Sequence, residues 1–279
     1  MTIIQSIILG FIQGITEFLP ISSSGHLILV PYIFGWDLQD ITFDLFLHLG
    51  TTFAVLVFFW KDWVMMVKSL LRDAKTYKKS NSRLFQHFSA ESKLFLIILA
   101  VSVPVGLVAL IFNDTVENYF RNPLQVASML LIAGLIMMFA DMYAEKNKQK
   151  SVTNVTQVGF KQGLIVSLSQ ILALIPGTSR SGMTISMGLF QKFDRETAAK
   201  FSFLLATPII VAGGLYSLKE IVHLDQQHMM DYLVGFLTAF LVGILAIKFL
   251  MMFLKTHRLT IFIIYRFVLG AIIIFLVLK

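Results

Sequence analysis

Six stretches of this chain are long, apolar and nearly free of charge. Leu94 to Phe112, Asn122 to Ala140, Phe201 to Leu218 and Tyr232 to Ile247 carry no charged residue. Phe43 to Trp60 carries only Asp44 and His48, and Leu259 to Leu278 only Arg266. A helix needs about 20 mostly apolar residues to cross a bilayer, so each is a candidate span. The whole chain agrees: 57% of its 279 residues are hydrophobic and 14% charged, against about 25% charged in soluble domains. The expectation is an all-α, polytopic membrane helical bundle.

Two further apolar stretches are interrupted. Thr2 to Phe34 contains Glu17-Phe-Leu-Pro20-Ile-Ser-Ser-Ser-Gly25-His26, and Val155 to Phe190 contains Pro176-Gly-Thr-Ser-Arg-Ser-Gly182-Met-Thr184. Pro and Gly break helices. Non-helical backbone at membrane depth survives only where protein or a watery cavity covers it. Both stretches are therefore expected to be re-entrant helix-loop-helix segments. Residues 1–143 then hold one such segment plus three spans, and 155–279 repeat that order. Pro20…Ser22-Ser-Ser-Gly25 recurs as Pro176…Ser179-Arg-Ser-Gly182, with Gln13 and Gln170 ahead of them. Three spans is an odd number, so the second repeat is expected to be inverted within a single membrane domain, with a site where the broken segments meet.

Charge gives the expected orientation. Of the 23 Lys and Arg, 17 fall in the connections at 61–93, 146–161, 192–200 and 255–258. The opposite connections offer Arg121 and Lys219. The basic side is cytoplasmic, which puts both termini on the outer face of a bacterial plasma membrane. The net charge of +7 is read as meeting anionic lipid rather than nucleic acid. Residues 62–75 alternate Val64, Val67, Leu70 and Leu71 with Lys68, Arg72 and Lys75, an amphipathic stretch suited to the inner leaflet. No Cys is present, which excludes disulfides, thiolate metal sites and a Cys nucleophile. No cleavable signal peptide is expected from the first residues.

Ionisable groups at membrane depth are costly and usually line a cavity. Glu17, His26 and Arg180 are the three inside the broken segments. Gln13 and Glu17 share a helical face and suit a divalent cation or a water. His26 follows Ser22, Ser23 and Ser24; a hydroxyl, an imidazole and an acid form the pattern of an activated nucleophile. Arg180 sits between Ser179 and Ser181, beside Gly177, Thr178 and Gly182, where a half-helix begins. Its planar fork of donors and the helix N-terminus suit phosphate oxygens, and Thr184 falls in the first turn. Lys248 and Arg266 lie near cytoplasmic helix ends and are read as snorkelling. Asp44 and His48 are read as supporting or interfacial residues.

Gln13-Gly-Ile-Thr-Glu17-Phe-Leu-Pro-Ile-Ser-Ser-Ser-Gly-His26 and Pro176-Gly-Thr-Ser-Arg-Ser-Gly-Met-Thr184 strongly resemble the two signature motifs of the undecaprenyl-pyrophosphate phosphatase family, also called the bacitracin-resistance family. Phe201-Ser-Phe-Leu-Leu-Ala-Thr-Pro208 looks like the family's following helix. The resemblance covers nearly the whole chain. It implies hydrolysis of a polyprenyl pyrophosphate, with Ser23 and His26 catalytic, Arg180 binding phosphate, a divalent cation (Mg2+ or Ca2+), and a pocket open to the outer face. The family's acidic motif has Glu or Gln first and Glu second; here Gln13 and Glu17 leave one carboxylate. Ser23 attack with His26 as base and direct activation of water by His26 both remain open. So does a transporter or flippase for an anionic lipid or small anion, since facing broken helices are also the transporter plan. The sequence leaves a homodimer equally open.

Overall fold

The computed structural model describes residues 1–77, 88–119, 122–221 and 228–279, with the side chains of 77, 113–119 and 215–221 left aside. Lys78, Lys79, Arg83, Arg121 and the Lys219 side chain, all used in the charge reading, lie outside the described residues. Eleven α-helices appear among the described residues: α1 (Ile3–Thr16), α2 (Ser23–Phe34), α3 (Ile41–Phe58), α4 (Trp60–Tyr77), α5 (Ala90–Tyr119), α6 (Pro123–Lys146), α7 (Phe160–Leu168), α8 (Arg180–Phe190), α9 (Arg195–Ile221), α10 (Met229–Phe253) and α11 (Thr260–Leu278). The only pairing of strand type among them is one isolated bridge, Val152 to Phe193. The protein is an all-α polytopic bundle.

Among the described residues six helices are long and apolar enough to cross a membrane: α3, α5, α6, α9, α10 and α11. They match the six apolar runs. Their outward residues, such as Leu107, Leu245 and Phe275, are more than half exposed, as a lipid-facing surface requires. The amphipathic stretch forms α4. Asp73 on α4 accepts from the Ser89 amide (2.8 Å) and hydroxyl (2.6 Å) and the Ser92 hydroxyl (2.7 Å), which ties α4 to the start of α5. Those donors, Ser89 first, hold its carboxyl below the usual carboxylate range.

The basic connections gather at one end of the molecule. Arg195 pairs with Asp141 (2.7 Å) and Glu145 (3.2 Å), Arg258 with Glu145 (2.9 Å), and Lys200 with Asp62 (2.6 Å). These bonds join the starts or ends of α4, α6, α9 and the α10–α11 connection.

Close helix packing rests on small residues, as is usual inside membranes. α10 lies against both α1 and α3, and α6 against α11. At Gly10 of α1 a Cβ would stand 2.7 Å from the Gly235 carbonyl of α10. At Gly235 a Cβ would meet the Phe43 ring of α3 at 2.7 Å. These crossings hold the first broken segment beside α3.

Each broken segment is two short helices joined by a hydroxyl-rich turn. α1 opens on a Thr2–Gln5 capping box, and its helical pattern ends near Glu17, ahead of Pro20. α2 then starts from Ser22, whose φ is 78° and whose Oγ accepts from the Gly25 amide. In the second segment α7 passes into a 3-10 turn, Ser169–Leu174. α8 starts from Ser179, with φ 74° and Oγ accepting from the Gly182 amide. The two helix starts are alike in residue type, backbone and cap. Gly177, at φ 93°, has no room for a side chain: a Cβ would lie 2.5 Å from the Val126 carbonyl.

Arg266 of α11 fastens the two turns to each other, which corrects the snorkelling reading. It is fully buried. Its guanidinium donates to the carbonyls of Pro20 (3.2 Å) in the first turn, Gly177 (2.8 Å) and Thr178 (3.0 Å) in the second, and Leu130 (3.2 Å) in α6. The breaks leave carbonyls that helical bonding no longer satisfies, and a buried unpaired carbonyl is expensive. Five fixed donors can serve the three turn carbonyls and that of Leu130 in α6 at once. Lys248, by contrast, is exposed.

Lys keeps the charge but has three donors and no planar fork. Arg266→Lys is therefore expected to lower the melting temperature in detergent and to reduce turnover strongly, while Lys248→Met leaves both near wild type. A melting curve of the Arg266 variant that overlays wild type would contradict this clasp.

Candidate active site

Glu17, the last residue of α1's helical path, is the centre on which both broken segments converge. Its side chain is 9% exposed. Oε2 accepts from the Ser23 hydroxyl (2.5 Å) and from the Gln13 amide (3.1 Å). Oε1 accepts from Arg180 of the second segment. Ser23 and Arg180 each directly follow the capping serine, Ser22 or Ser179, of their half-helix. Two like-built turns thus present a hydroxyl and a guanidinium to the same carboxylate. A buried charge needs such a partner, because isolation in a low-dielectric interior costs several kcal/mol.

The pair borders a cavity of about 350 Å3. Its lining is polar at one end, with Glu17, His48 and Arg180, and mostly apolar elsewhere, with Leu45, Leu49 and Thr52 of α3 and Ile210, Gly213 and Gly214 of α9. His48 Nδ1 contacts the Asp44 carbonyl at 2.8 Å; a carbonyl only accepts, so Nδ1 carries a proton. Nε2 is left facing Glu17 Oε2 at 3.9 Å. Asp44 instead accepts from Gln39 (2.8 Å). Sequence reading gave His48 no more than a supporting place. The signal was present, since an imidazole inside an apolar span is by default a cavity residue.

The structure does not bring His26 to this group. Its Nδ1–H donates to the Ser22 carbonyl (2.7 Å), and Nε2 lies 2.7 Å from the Tyr265 hydroxyl. The Tyr265 ring stacks alongside, with centroids 5.7 Å apart. Both nitrogens are thus engaged away from Ser23, and the expected Ser23–His26 pair is replaced by Ser23–Glu17. The reason is helical geometry: His26 lies one turn into α2 and reaches back to the carbonyl of its own cap, whereas Ser23 opens the helix toward α1.

Most hydroxyls read as a phosphate cradle are also spent elsewhere. Ser22, Thr178, Ser179, Ser181 and Thr184 are buried. Ser22 and Ser179 cap helices. Ser24 pairs with Ser22 (3.4 Å), and Ser179 with Ser181 (3.2 Å). Thr178 donates to the Ile175 carbonyl (2.7 Å) and Ser181 to the Leu19 carbonyl (3.2 Å). Thr184 donates to the Arg180 carbonyl (2.8 Å) and meets Ser202 at 2.5 Å. These groups build the turns that aim Ser23 and Arg180; Gly177 contributes a tight turn and a carbonyl for Arg266. Competition with the backbone for short polar side chains, invisible in a motif, decides their use.

Among the described residues no three His, Asp or Glu cluster as a ready metal site. One observation does suit a hard cation: Gln13 Oε1 is buried with no hydrogen-bond partner, beside the Glu17 carboxylate.

Comparison with known proteins gives this geometry its setting. Residues 6–272 match the family model of bacitracin resistance protein BacA. A protein of Moorella thermoacetica named undecaprenyl-diphosphatase is 41% identical over 274 residues, covering 98% of this chain and 97% of its own. Like-named proteins of Pelotomaculum thermopropionicum (39% over 276 residues, 99% and 97%) and Thermodesulfovibrio yellowstonii (38% over 274 residues, 96% and 95%) are similar throughout. With two broken segments converging on one carboxylate and a match along almost its whole length, this chain belongs to the BacA family of bacitracin resistance proteins.

Proposed function

We propose that this chain hydrolyses undecaprenyl pyrophosphate to undecaprenyl phosphate and inorganic phosphate, recycling the lipid carrier of cell-wall synthesis and conferring bacitracin resistance. Family membership and the names of its relatives support this. The observation that carries it at the site is Glu17, which accepts from both Ser23 and Arg180 and with Arg180 borders a cavity with apolar walls. That combination suits an anionic head on an apolar chain, in a multi-pass plasma-membrane protein.

In this reading Arg180 turns its donors from Glu17 to the terminal phosphate and neutralises its equatorial oxygens, the main task in phosphoryl transfer. Ser23 Oγ attacks the terminal phosphorus while Glu17 Oε2, already its hydrogen-bond acceptor, takes the proton. The bond from that phosphorus to the bridging oxygen breaks, and the electron pair leaves with the lipid phosphate. Water then releases phosphate from Ser23, with Glu17 returning the proton to the serine. A water activated directly by Glu17 is the alternative, and phosphoserine trapped at Ser23 by rapid quench separates the two. His26 acts by bracing the Ser22 turn. Glu17 and Gln13 Oε1 would hold a divalent cation, Mg2+ or Ca2+. When bound, that ion supplies charge neutralisation at the pyrophosphate.

An inverted repeat of 1–143 and 155–279 is part of the same reading. The helix pairs support it: α1–α10 is matched by α7–α5, α3–α10 by α9–α5, and α6–α11 by itself. Clustering of the basic connections at one end supports a cytoplasmic assignment for that end, with both termini and the cavity toward the outer face. A transporter role is not favoured, because the family match and the names of the relatives point to a hydrolase.

Phosphate release from the lipid pyrophosphate in detergent tests the reading where no membrane exists to cross. Arg180→Ala is expected to lower kcat at least about 100-fold, the usual size of such a loss, and a chelator to abolish release until Mg2+ or Ca2+ returns. Near wild-type turnover of the variant would remove Arg180 from the chemistry.

A further inference from the structure

α3 and α9 face each other across the apolar part of the cavity. Leu45, Leu49 and Thr52 lie on the same face of α3 as His48, and Ile210, Gly213 and Gly214 share one face of α9. The α9 side is bare where it meets the cavity. A Cβ at Gly213 would find nothing within 4 Å, whereas one at Gly214 would crowd the Leu49 side chain of α3 at 3.0 Å. Helix–helix contact does not account for a glycine facing open space, unlike Gly10 or Gly235, which allow backbones to meet. A helical glycine costs about 1 kcal/mol against alanine. The open volume runs on from Glu17, His48 and Arg180 without a dividing wall, since all line one cavity. Gly213 is itself exposed on a spanning helix, so the gap opens sideways where lipid would lie.

We propose that the gap over Gly213 seats the first isoprene units of the substrate, the part of the chain joined to the pyrophosphate, and so determines that the site works on a lipid rather than on a free phosphate anhydride. This rests on the hydrolase reading. The pyrophosphate occupies the charged end, where Arg180 and His48 face it. The chain leaves between α3 and α9 toward the bilayer, against Leu45, Leu49 and Ile210. Chain burial then positions the head for attack, using contacts remote from the reacting phosphorus.

The chain has no cysteine, so Gly213→Cys creates a single addressable thiol in the folded protein. Its modification by an alkyl thiosulfonate is measured in detergent with two non-hydrolysable probes, a methylene-bridged farnesyl bisphosphonate and methylene bisphosphonate without a chain. The farnesyl probe is expected to slow modification at least about tenfold, because a seated ligand is mostly buried, and the chainless probe to leave the rate unchanged. After attachment of a benzyl group, kcat/KM for farnesyl pyrophosphate is expected to fall at least about tenfold, the scale of a filled apolar pocket. Equal protection by both probes, or protection by neither, overturns the seat. Phosphate release from farnesyl pyrophosphate by the unsubstituted protein is read separately. Its absence alongside selective protection would overturn the hydrolase reading and leave the seat standing.

Discussion

A helix broken inside a membrane leaves backbone groups that water cannot reach, and three charged side chains resolve that problem here. Arg266 collects carbonyls from both turns and from α6. Glu17 of the first segment receives Arg180 of the second. Without Arg266 the turns would expose unsatisfied carbonyls to an apolar interior. Without Glu17 and Arg180 each other's charge would be stranded. The fold and the site are therefore one construction: the ion pair that permits the turns to meet also forms the charged end of the cavity.

The two turns do different work with one geometry. Ser22 and Ser179 adopt nearly the same φ and cap their helices through the same kind of bond to a glycine. The next residue is aimed at the centre in both, and it is a hydroxyl in one and a guanidinium in the other. Repetition of a backbone device with a single residue changed is a direct way to place a hydroxyl and a guanidinium on one carboxylate. Gln13 and Gln170 keep the likeness: each has a buried amide oxygen without a hydrogen-bond partner. Only Gln13 has a carboxylate beside it.

The spans, the two breaks and the place of Glu17 and Arg180 inside those breaks were legible in sequence because hydropathy and helix-breaking residues act locally. Partner choice was not. Arg266 looked interfacial from its distance to the end of its own helix; only folding brings the carbonyls of 20, 177 and 178 around it. His26 adjoined the serines in sequence, yet one helical turn carries it to the Ser22 carbonyl and Tyr265. His48, in another helix, occupies the place at the cavity that an imidazole was expected to fill. The hydroxyls of 178, 179, 181 and 184 read as ligand donors because a motif lists groups, whereas the backbone nearest to them claims their hydrogen bonds first.

The claim beneath all of this is that Glu17 and Arg180 depend on each other inside the bundle. A double-mutant cycle of Glu17→Gln and Arg180→Gln, followed by thermal unfolding in detergent, measures that dependence. Mutual dependence predicts that the double variant melts no lower than the worse single variant, since removing both charges strands neither. Destabilisations that simply add would show that the two side chains do not hold one another, and the junction of the broken segments would need another cause.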